Sequence, residues 1–279
     1  MRRIVLAKHI GFCSGVKRAV NLAYEAAKES KVYSLGPLIH NPQEVKRLER
    51  AGIKVITTLG NLKKGILIVR SHGLPGRVIG EARKRGLKII DATCPLVKKV
   101  QEIAGRLKER RYQIVMVADR YHPEVKAVQE RAGRKFQVVP NGKKPMFFPR
   151  RDKIGVIAQT TQSEKNFREV INQLKIFNKG LKIYNTICQE TARRQRELLG
   201  LAKTVDVVLI IGGFNSANTR RLLELSRQGG IVTYQIEESK GLRKINLKGI
   251  KKIGIVTGAS TPNWIVEEVV RKLEIMPER

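Results

Sequence analysis

The sequence is poor in cysteine. Among its 279 residues there are three, at Cys13, Cys94 and Cys188. A sparse set with an odd number of members excludes a disulfide framework, and the lack of any CxxC pair excludes a zinc ribbon or finger. Cysteines in such numbers are usually small buried apolar residues, but the repeated sequence around these three argues against that interpretation.

Long apolar runs are also missing. No stretch approaches the ~18 consecutive apolar residues that a membrane span needs. The segment 1–13, MRRIVLAKHIGFC, has too short an apolar stretch for a signal peptide and lacks the small-residue cleavage site. These absences predict a cytoplasmic protein that has no membrane partner.

Acidic and aromatic residues are scarce as well. Lys and Arg number 56 against 24 Asp and Glu, which gives a net charge of +32, while aromatic residues make up 5%. Such a charge favours polyanionic partners, nucleic acid among them. The basic residues are spread along the chain, however, and no aromatic stacking platform is evident. We therefore expect any binding to nucleic acid to be nonspecific.

The sequence does contain one pattern three times. The segments 86–96 (GLKIIDATCPL) and 180–190 (GLKIYNTICQE) are nearly alike. Each cysteine follows a short apolar strand pattern and precedes apolar residues at three- and four-residue spacing, which is typical of an amphipathic helix. A second strand pattern follows, and the position 22 residues after each cysteine falls in it or at its end, at Leu35, Met116 and Ile210.

A polar cluster follows the end of each of these strand patterns, at a similar distance from the cysteine in every copy. The first cluster supplies His40, His122 or Ser216, which lie 27, 28 and 28 residues after their cysteines. The second cluster follows a later strand, and its members are His72, Thr160, Thr161 and Ser260. Strand–helix patterns often look alike by chance, but a shared cysteine at the same joint in every copy does not arise that way.

The alternation of strands and helices predicts an α/β fold of three similar small units with parallel sheets. The units are expected at residues 12–93, 94–187 and 188–279, with residues 1–11 completing the third. Ligands bind beyond the carboxyl ends of such strands, where the polar clusters lie. A pseudo-threefold arrangement would therefore direct the three cysteines to one centre. Residues 140–150 are expected to form a proline-rich loop.

Three thiolates at one point favour a soft metal. Zinc with a fourth ligand and an iron–sulfur cluster both remain open. In a four-iron cluster, three cysteines would leave one iron without a protein ligand, which is the open position that a catalytic metal needs. Three of the four histidines fall in the equivalent loops. Together with the Ser, Thr and Asn donors they form a predicted cage for an anion such as phosphate. The fourth, His9, is interpreted as structural.

Glu124, in the segment HPEV, is a carboxylate among donors for an anion. A carboxylate in the first turn of a helix is favoured by the helix dipole, so one interpretation is structural. The other is that Glu124 is a proton source.

The motifs together resemble those of the 4-hydroxy-3-methylbut-2-enyl diphosphate reductase family, which catalyses the last step of the methylerythritol phosphate route to isoprenoids. They run from residue 11 to residue 260 and cover nearly the whole chain. The matching motifs are GFCSGV, IHNP, RSHG, DATCPLV, HPEV, QTTQS, TIC…T…RQ, GGFNSANTRRL and GAS.

The resemblance implies a trefoil of three α/β domains around a [4Fe-4S] cluster with one open iron site. It implies that Cys13, Cys94 and Cys188 hold the cluster. It also implies that Glu124 donates a proton, with Thr160 as a relay. The residues that it implies for diphosphate binding are His40, His72, His122, Thr160, Thr161, Ser216, Ala217, Asn218 and Ser260.

The implied reaction removes the C4 hydroxyl of the allylic diphosphate with two electrons and protons, giving isopentenyl and dimethylallyl diphosphates. Electrons enter singly, so the implied donor is ferredoxin or flavodoxin, acidic proteins that suit a basic surface. Two alternatives are weaker. A basic nucleic-acid-binding protein with a structural metal site leaves the repeated Cys and His unexplained, and a zinc hydrolase with three cysteines does not explain the resemblance.

Two positions depart from the family's usual pattern. Ala217 stands between Ser216 and Asn218, where a second serine is common, so a hydroxyl is lost and a backbone N–H is left as the donor. Glu190 lies two residues after Cys188, where alanine is usual, and adds a carboxylate near the predicted cluster.

Overall fold

The structure is a computed structural model that describes residues 2–145, 153–178 and 180–277. Residues 146–150 of the predicted proline-rich loop lie outside the described residues. The strands are β1 (Arg3–Leu6), β2 (Val32–Leu35), β3 (Ile53–Ile56), β4 (Ile66–Val69), β5 (Lys88–Asp91), β6 (Gln113–Val117), β7 (Phe136–Val139), β8 (Ile154–Ala158), β9 (Leu181–Ile183), β10 (Val207–Ile211), β11 (Thr233–Ile236) and β12 (Lys252–Thr257).

Helices alternate with these strands. They are α1 (Ser14–Glu29), α2 (Pro42–Arg50), α3 (Gly76–Lys84), α4 (Pro95–Glu109), α5 (Pro123–Ala132), α6 (Glu164–Phe177), α7 (Gln189–Leu201), α8 (Ala217–Gln228) and α9 (Asn263–Glu274), with a 3-10 helix at Ser239–Lys244. No helix in the described ranges has both the length and the apolar character that crossing a membrane requires.

The described strands form three four-stranded sheets, and every strand pair in them is parallel. The strand orders are β3-β2-β4-β5, β7-β6-β8-β9 and β11-β10-β12-β1. Each sheet therefore repeats the same order, with the strand that leads to a cysteine at one edge. The prediction of an α/β fold with parallel sheets is confirmed.

Three of the central strands, one in each sheet, are apolar from end to end. β4 reads ILIV, β8 reads IGVIA and β10 reads VVLII, and each of their residues is buried. A strand of a parallel sheet that is covered on both faces needs such a continuous apolar run. The alternation of polar and apolar residues expected of a half-exposed strand is accordingly absent here.

Sequence analysis missed the edge strands β3, β7 and β11. Their sequences, IKVI, FQVV and TYQI, are short and only partly buried. A strand at a sheet edge has one neighbour, so its apolar signal is weaker than that of a central strand.

Helices pack against these sheets through apolar stripes. In α4 the buried residues recur at helical spacing, and they are Val97, Val100, Ile103, Ala104 and Leu107. Gly155 in β8 makes room for this helix, because a Cβ there would lie 2.6 Å from the Leu107 side chain. The burial of a leucine of this kind contributes roughly 1.5–3 kcal/mol.

The chain forms two compact units. One combines Met1–Lys17, Ile39–Arg47 and Gln189–Arg279, and the other combines Arg18–Leu38 and Leu48–Cys188. The first unit contains the sheet β11-β10-β12-β1, in which β1 pairs with β12 from Arg3–Lys252 to Leu6–Ile255. The second unit contains the other two sheets. The domain boundaries proposed from the sequence remain a prediction.

Candidate active site

The predicted site residues lie where strands end and the next helices begin, in the position that suits ligands in parallel α/β sheets. They fall into two groups, one in each compact unit. The first unit holds Cys13, His40, Ser216, Ala217, Asn218 and Ser260. The second unit holds His72, Cys94, His122, Glu124, Thr160, Thr161 and Cys188.

The three cysteines share one local geometry. Each directly precedes a helix, and each backbone N–H donates to a carbonyl of the polar loop that follows the neighbouring strand. These bonds run from Cys13 to Ala259 (3.0 Å), from Cys94 to Ser71 (3.0 Å) and from Cys188 to Thr160 (2.8 Å). None of the three cysteines is in a disulfide, and each is half-buried. The positive end of a helix favours the thiolate form, which is the form that binds metals.

The Cys94 thiol shows how this environment acts. Burial has the largest effect and raises the pKa of Cys94, while hydrogen bonds from the N–H groups of Leu96 and Val97 lower it. Cys188 and Glu124 raise the pKa further by their charge. Cys94 and Cys188 are therefore close enough to influence each other, and a cation bound at these sulfurs would relieve the repulsion between two thiolates.

His72 and His122 face each other in the second unit. Their rings are T-shaped, with centroids 5.3 Å apart and planes at 83°. His122 is buried at the start of α5, and its Nδ1 accepts the N–H of Glu124 at 3.2 Å. Because Nδ1 is an acceptor, the ring proton of a neutral His122 lies on Nε2, which can donate to an anion.

Glu124 is 1% exposed and is bonded to one residue through both carboxyl oxygens. Oε1 accepts the N–H of Thr160 at 2.9 Å, and Oε2 accepts the Thr160 hydroxyl at 2.7 Å. Burial raises the pKa of Glu124 to about 7, although the bonds from Thr160 oppose the shift and the charge of Asp119 adds to it. A carboxyl group with this pKa can hold or release a proton near neutral pH.

Gln159 organises the same loops, and sequence analysis gave it no role. Its Oε1 accepts the N–H of Asp119 at 2.9 Å, and its Nε2 donates to the Thr161 hydroxyl at 2.8 Å. The side chain is fully buried. Gln159 thus joins the loop after β6 to the loop after β8. Gln159 is the first residue of the motif QTTQS, in which the sequence indicates a role only for the threonines.

In the first unit, His40 and Ser260 are directly connected. The Ser260 hydroxyl donates to the His40 carbonyl at 3.1 Å, and Ser260 is 6% exposed. Gly213 packs on the same carbonyl, since a Cβ there would lie 2.6 Å from the oxygen. The loops after β2, β10 and β12 therefore meet around His40.

The start of α8 presents buried polar groups. Ser216 is its N-cap and accepts the N–H of Thr219 at 3.4 Å. Ala217 and Asn218 are the first residues of the helix, so their N–H groups have no acceptor within it. Asn218 is 3% exposed, and both polar atoms of its side chain are buried without a hydrogen-bond partner among the described residues. A buried amide of this kind is suited to a ligand, in particular an anion at the helix N-terminus.

Two further residues from the sequence analysis have clear positions. Glu190, in the first turn of α7, pairs with Arg193 on the same helix, and its Oε1 lies 3.3 Å from Nη1. His9 is hydrogen-bonded to Glu197. The backbone N–H of His9 donates to Oε2 of Glu197 at 2.9 Å, and the His9 ring is hydrogen-bonded to Oε1.

Comparison with known proteins gives a consistent result. The family described as LytB protein matches residues 4–274. A "4-hydroxy-3-methylbut-2-enyl diphosphate reductase" from Geobacter metallireducens is 46% identical over 273 residues, which is 97% of this chain and 96% of that protein. A protein of the same name from Pelobacter propionicus is 44% identical over 272 residues, with 97% of both covered.

Solved structures are also similar. That of the E-1-hydroxy-2-methyl-but-2-enyl-4-diphosphate reductase from Plasmodium falciparum has a TM-score of 0.92 at 27% identity and covers 99% of this chain and 89% of that one. Another, described as (E)-4-hydroxy-3-methyl-but-2-enyl diphosphate reductase, the terminal enzyme of the non-mevalonate pathway, has a TM-score of 0.70 at 43% identity, with 99% and 100% covered.

Proposed function

The chain belongs to the LytB protein family, and from this premise we propose that it reduces 4-hydroxy-3-methylbut-2-enyl diphosphate to isopentenyl and dimethylallyl diphosphates. It is an oxidoreductase, as the sequence motifs predicted. The observation that carries the proposal within the structure is the buried carboxyl of Glu124, bonded to Thr160 beside a pair of histidines. The nucleic-acid-binding alternative has no support in the family match.

Three thiols at helix N-termini fit an iron–sulfur cluster by their chemistry. Each is a soft ligand, none is in a disulfide, and each is half-buried. We assign Cys13, Cys94 and Cys188 as ligands of a [4Fe-4S] cluster with one open iron site. When bound, the cluster would supply single electrons and a Lewis acid for the C4 hydroxyl.

The diphosphate is proposed to bind to the donors at the strand ends. His122 offers Nε2–H, and the start of α8 offers the N–H groups of Ala217 and Asn218 together with the Asn218 amide. The full set comprises His40, His72, His122, Thr160, Thr161, Ser216, Ala217, Asn218 and Ser260. Holding the diphosphate fixes the position of the C4 hydroxyl and supplies proximity.

Glu124 is proposed to deliver the proton to the leaving hydroxyl, with the Thr160 hydroxyl as the relay. The Thr160 oxygen lies 2.7 Å from Oε2, and its hydroxyl donates to the ionised carboxylate. When Glu124 is protonated, the carboxyl can donate to the Thr160 oxygen while the Thr160 hydroxyl turns outward, so Thr160 takes the proton of Glu124 as it gives its own to the leaving oxygen. In the balanced reaction the substrate gains two electrons and two protons, its C4–O bond breaks, and the oxygen leaves as water. Burial keeps bulk water from competing for this proton.

The electron donor is proposed to be ferredoxin or flavodoxin in the cytoplasm. A net charge of +32 favours the docking of an acidic protein through long-range attraction. The same charge gives only nonspecific attraction for nucleic acid.

The function is tested with protein that has been purified without oxygen and supplied with substrate and a small-molecule reductant. We expect brown protein with broad absorbance near ~400 nm, typical of the sulfur-to-iron transitions of thiolate-bound clusters, and formation of both five-carbon diphosphates. Colourless protein that binds zinc, or coloured protein that leaves the substrate unchanged, would contradict the proposal.

The ligand assignment is tested by single substitutions. Cys13→Ser, Cys94→Ser and Cys188→Ser are each expected to lose most of the bound iron, because an alcohol is a poor ligand for iron in a cluster. Iron is measured per chain after desalting. A variant that keeps the wild-type amount of iron would remove its cysteine from the ligand set.

A further inference from the structure

Arg194 in α7 is a buried arginine that the proposed reaction does not use. It is 1% exposed, although arginine side chains are seldom buried completely. Nη1 donates to the carbonyl of Thr257 at 3.1 Å and to its hydroxyl at 2.8 Å, and Nη2 donates to the carbonyl of Gly11 at 2.9 Å. One guanidinium therefore connects the end of β12 to the loop between β1 and α1.

The Gly11 peptide is held from both sides. Its N–H donates to the Thr257 hydroxyl at 3.1 Å, while its carbonyl accepts from Arg194. Gly11 has a φ of +78°, and a Cβ at this position would lie 1.8 Å from Oδ1 of Asn263. Only glycine fits this position without displacing the asparagine. The loop is thus locked two residues before Cys13.

A second side chain of α7 holds the same loop. Glu197, one turn after Arg194, accepts the N–H of His9 at 2.9 Å and is bonded to its ring. At the other end of the loop, the N–H of Cys13 donates to Ala259. The loop from His9 to Cys13 therefore has fixed points at His9, Gly11 and Cys13, and two of the three depend on α7.

We propose that Arg194, supported by Glu197, is a positioning residue that holds the Cys13 loop in the place where its thiol serves as a metal ligand. The inference rests on the proposed function in one respect, the role of Cys13 as a ligand. Arg194 belongs to the RQ pair of the motif TIC…T…RQ, a part of the motif that the reaction itself leaves unexplained.

The other copies of the repeat show that this arrangement is specific to one loop. The residues that correspond to Arg194, six positions after each cysteine, are the buried apolar Ala19 and Val100. The Cys94 loop has a different support, because Arg18 donates to the carbonyls of Thr93 and Asp91, both at 3.2 Å. The repeated fold alone thus does not require an arginine at position 194.

The test measures backbone amide hydrogen exchange in the whole chain without the cluster, with the exchange rate resolved for individual peptides. Arg194→Met removes all the N–H donors of the guanidinium and keeps an unbranched side chain of similar length. Arg193→Met makes the same change one residue earlier, at a side chain that is 48% exposed, and is the matched control. With Arg194→Met we expect exchange at residues 9–13 to be faster by about tenfold or more, since hydrogen bonds to a charged group are lost. The loops of Cys94 and Cys188 and the Arg193→Met protein should exchange as in wild type.

A conservative substitution at the same position distinguishes a local role in holding the Cys13 loop from a general effect on the stability of the fold. Arg194→Lys retains a cation and part of the donor set, so it should restore much of the protection at residues 9–13. Wild-type exchange in Arg194→Met would overturn the proposal, as would an equal increase throughout both compact units. If Arg194→Met does not fold, Arg194→Gln carries the same test, because it keeps only part of the donor set and should raise exchange at residues 9–13 by a smaller factor.

A second readout separates this inference from the proposed function. In protein loaded with iron, Arg194→Met should lose iron to a chelator faster than Arg193→Met. If exchange at residues 9–13 becomes faster but iron loss does not, the result supports the positioning role of Arg194. The same result would count against Cys13 as a metal ligand. No local increase would reject the positioning role whatever the iron content.

Discussion

At the residue scale, Glu124 is subject to opposing influences. Burial favours the neutral acid, whereas the bonds from Thr160 favour the carboxylate, and the balance raises the pKa to about 7. A carboxyl group with a pKa near the working pH is present both as the neutral acid and as the carboxylate. A catalytic acid needs both forms, because it must be reprotonated in each turnover.

Glu124→Gln should bind substrate and retain the cluster but lose turnover by ~10²–10⁴, the range of general acid catalysis. The amide oxygen can still accept the Thr160 N–H, and the Thr160 hydroxyl can turn to accept from the amide, so the local structure is preserved. Single-turnover rates at saturating reductant measure the effect.

Glu190→Gln is the control for this substitution. Glu190 pairs with Arg193 on the surface of α7, and its side chain is 30% exposed. A pair of this kind contributes roughly 0.3–0.5 kcal/mol, and a rate close to that of wild type is expected. A slow Glu190→Gln protein together with a fast Glu124→Gln protein would move the proton donor to position 190.

Glu124 should also make stability depend on pH. Its pKa in the folded chain, about 7, lies above the ordinary value of 4.5. Its contribution to the free energy of unfolding is therefore fully present below about pH 4.5 and is lost as the pH rises through about 7, a change on the order of 3 kcal/mol.

Urea unfolding of the cluster-free protein tests this dependence. The difference in stability between wild type and Glu124→Gln should move in favour of the variant as the pH rises from about 5 to about 8, because the amide has no charge to bury. A constant difference over this range would show that Glu124 has the same pKa in the folded and unfolded chain.

At the scale of single elements, the first turn of α8 has buried polar atoms that suit a ligand but lower the stability of the fold. Asn218 buries two polar atoms without a partner among the described residues, and each such atom costs about 1–3 kcal/mol. Asn218→Leu, of similar size, should therefore raise the free energy of unfolding while it weakens substrate binding by about tenfold or more. The cluster spectrum should not change.

Ser260→Ala is the matched comparison in the same unit. Its hydroxyl already donates to the His40 carbonyl at 3.1 Å, so its loss should lower stability and weaken substrate binding together. Chemical denaturation and KM separate the two cases. A destabilised Asn218→Leu protein would mean that this amide has a structural role.

How much of the fold the sequence predicted differs from element to element. The strands β4, β8 and β10 are continuous apolar runs that end in polar clusters, so their type and their positions could be predicted. The edge strands β3, β7 and β11 could not, because four residues of mixed character carry no reliable period. The shared strand order of the three sheets depends on packing between distant segments, which a single sequence does not display.

The sequence suggests the chemistry of the candidate site, which stays a prediction, but it does not show which residues support that site. Thiols and histidines at matched positions of the repeat suggest a ligand set. Gln159 and Arg194 act through bonds to backbone groups of distant loops. Glutamine and arginine have many roles, and nothing in their sequence context identifies the partner.

At the scale of the whole molecule, the excess of positive charge is expected to act on the encounter with the electron donor. Exposed charges are screened beyond ~10 Å at 0.1 M salt. Turnover with an acidic protein donor should therefore fall steeply as salt is added, whereas turnover with a small neutral reductant should change little. Equal salt sensitivity with both donors would show that the charge has another role.

The pairing of β1 with β12 has a consequence for the order of events during synthesis. Ribosomes release a chain from its amino end, so the strand that leads to Cys13 emerges early and must wait for a partner encoded far downstream. Gly11 and Thr257, which are bonded in the folded protein, are 246 residues apart. Until residue 259 has emerged, the Cys13 loop lacks both its neighbouring strand and its carbonyl acceptor. Iron and sulfide for the proposed cluster would consequently find the Cys13 loop in its folded position only after translation of this region is finished.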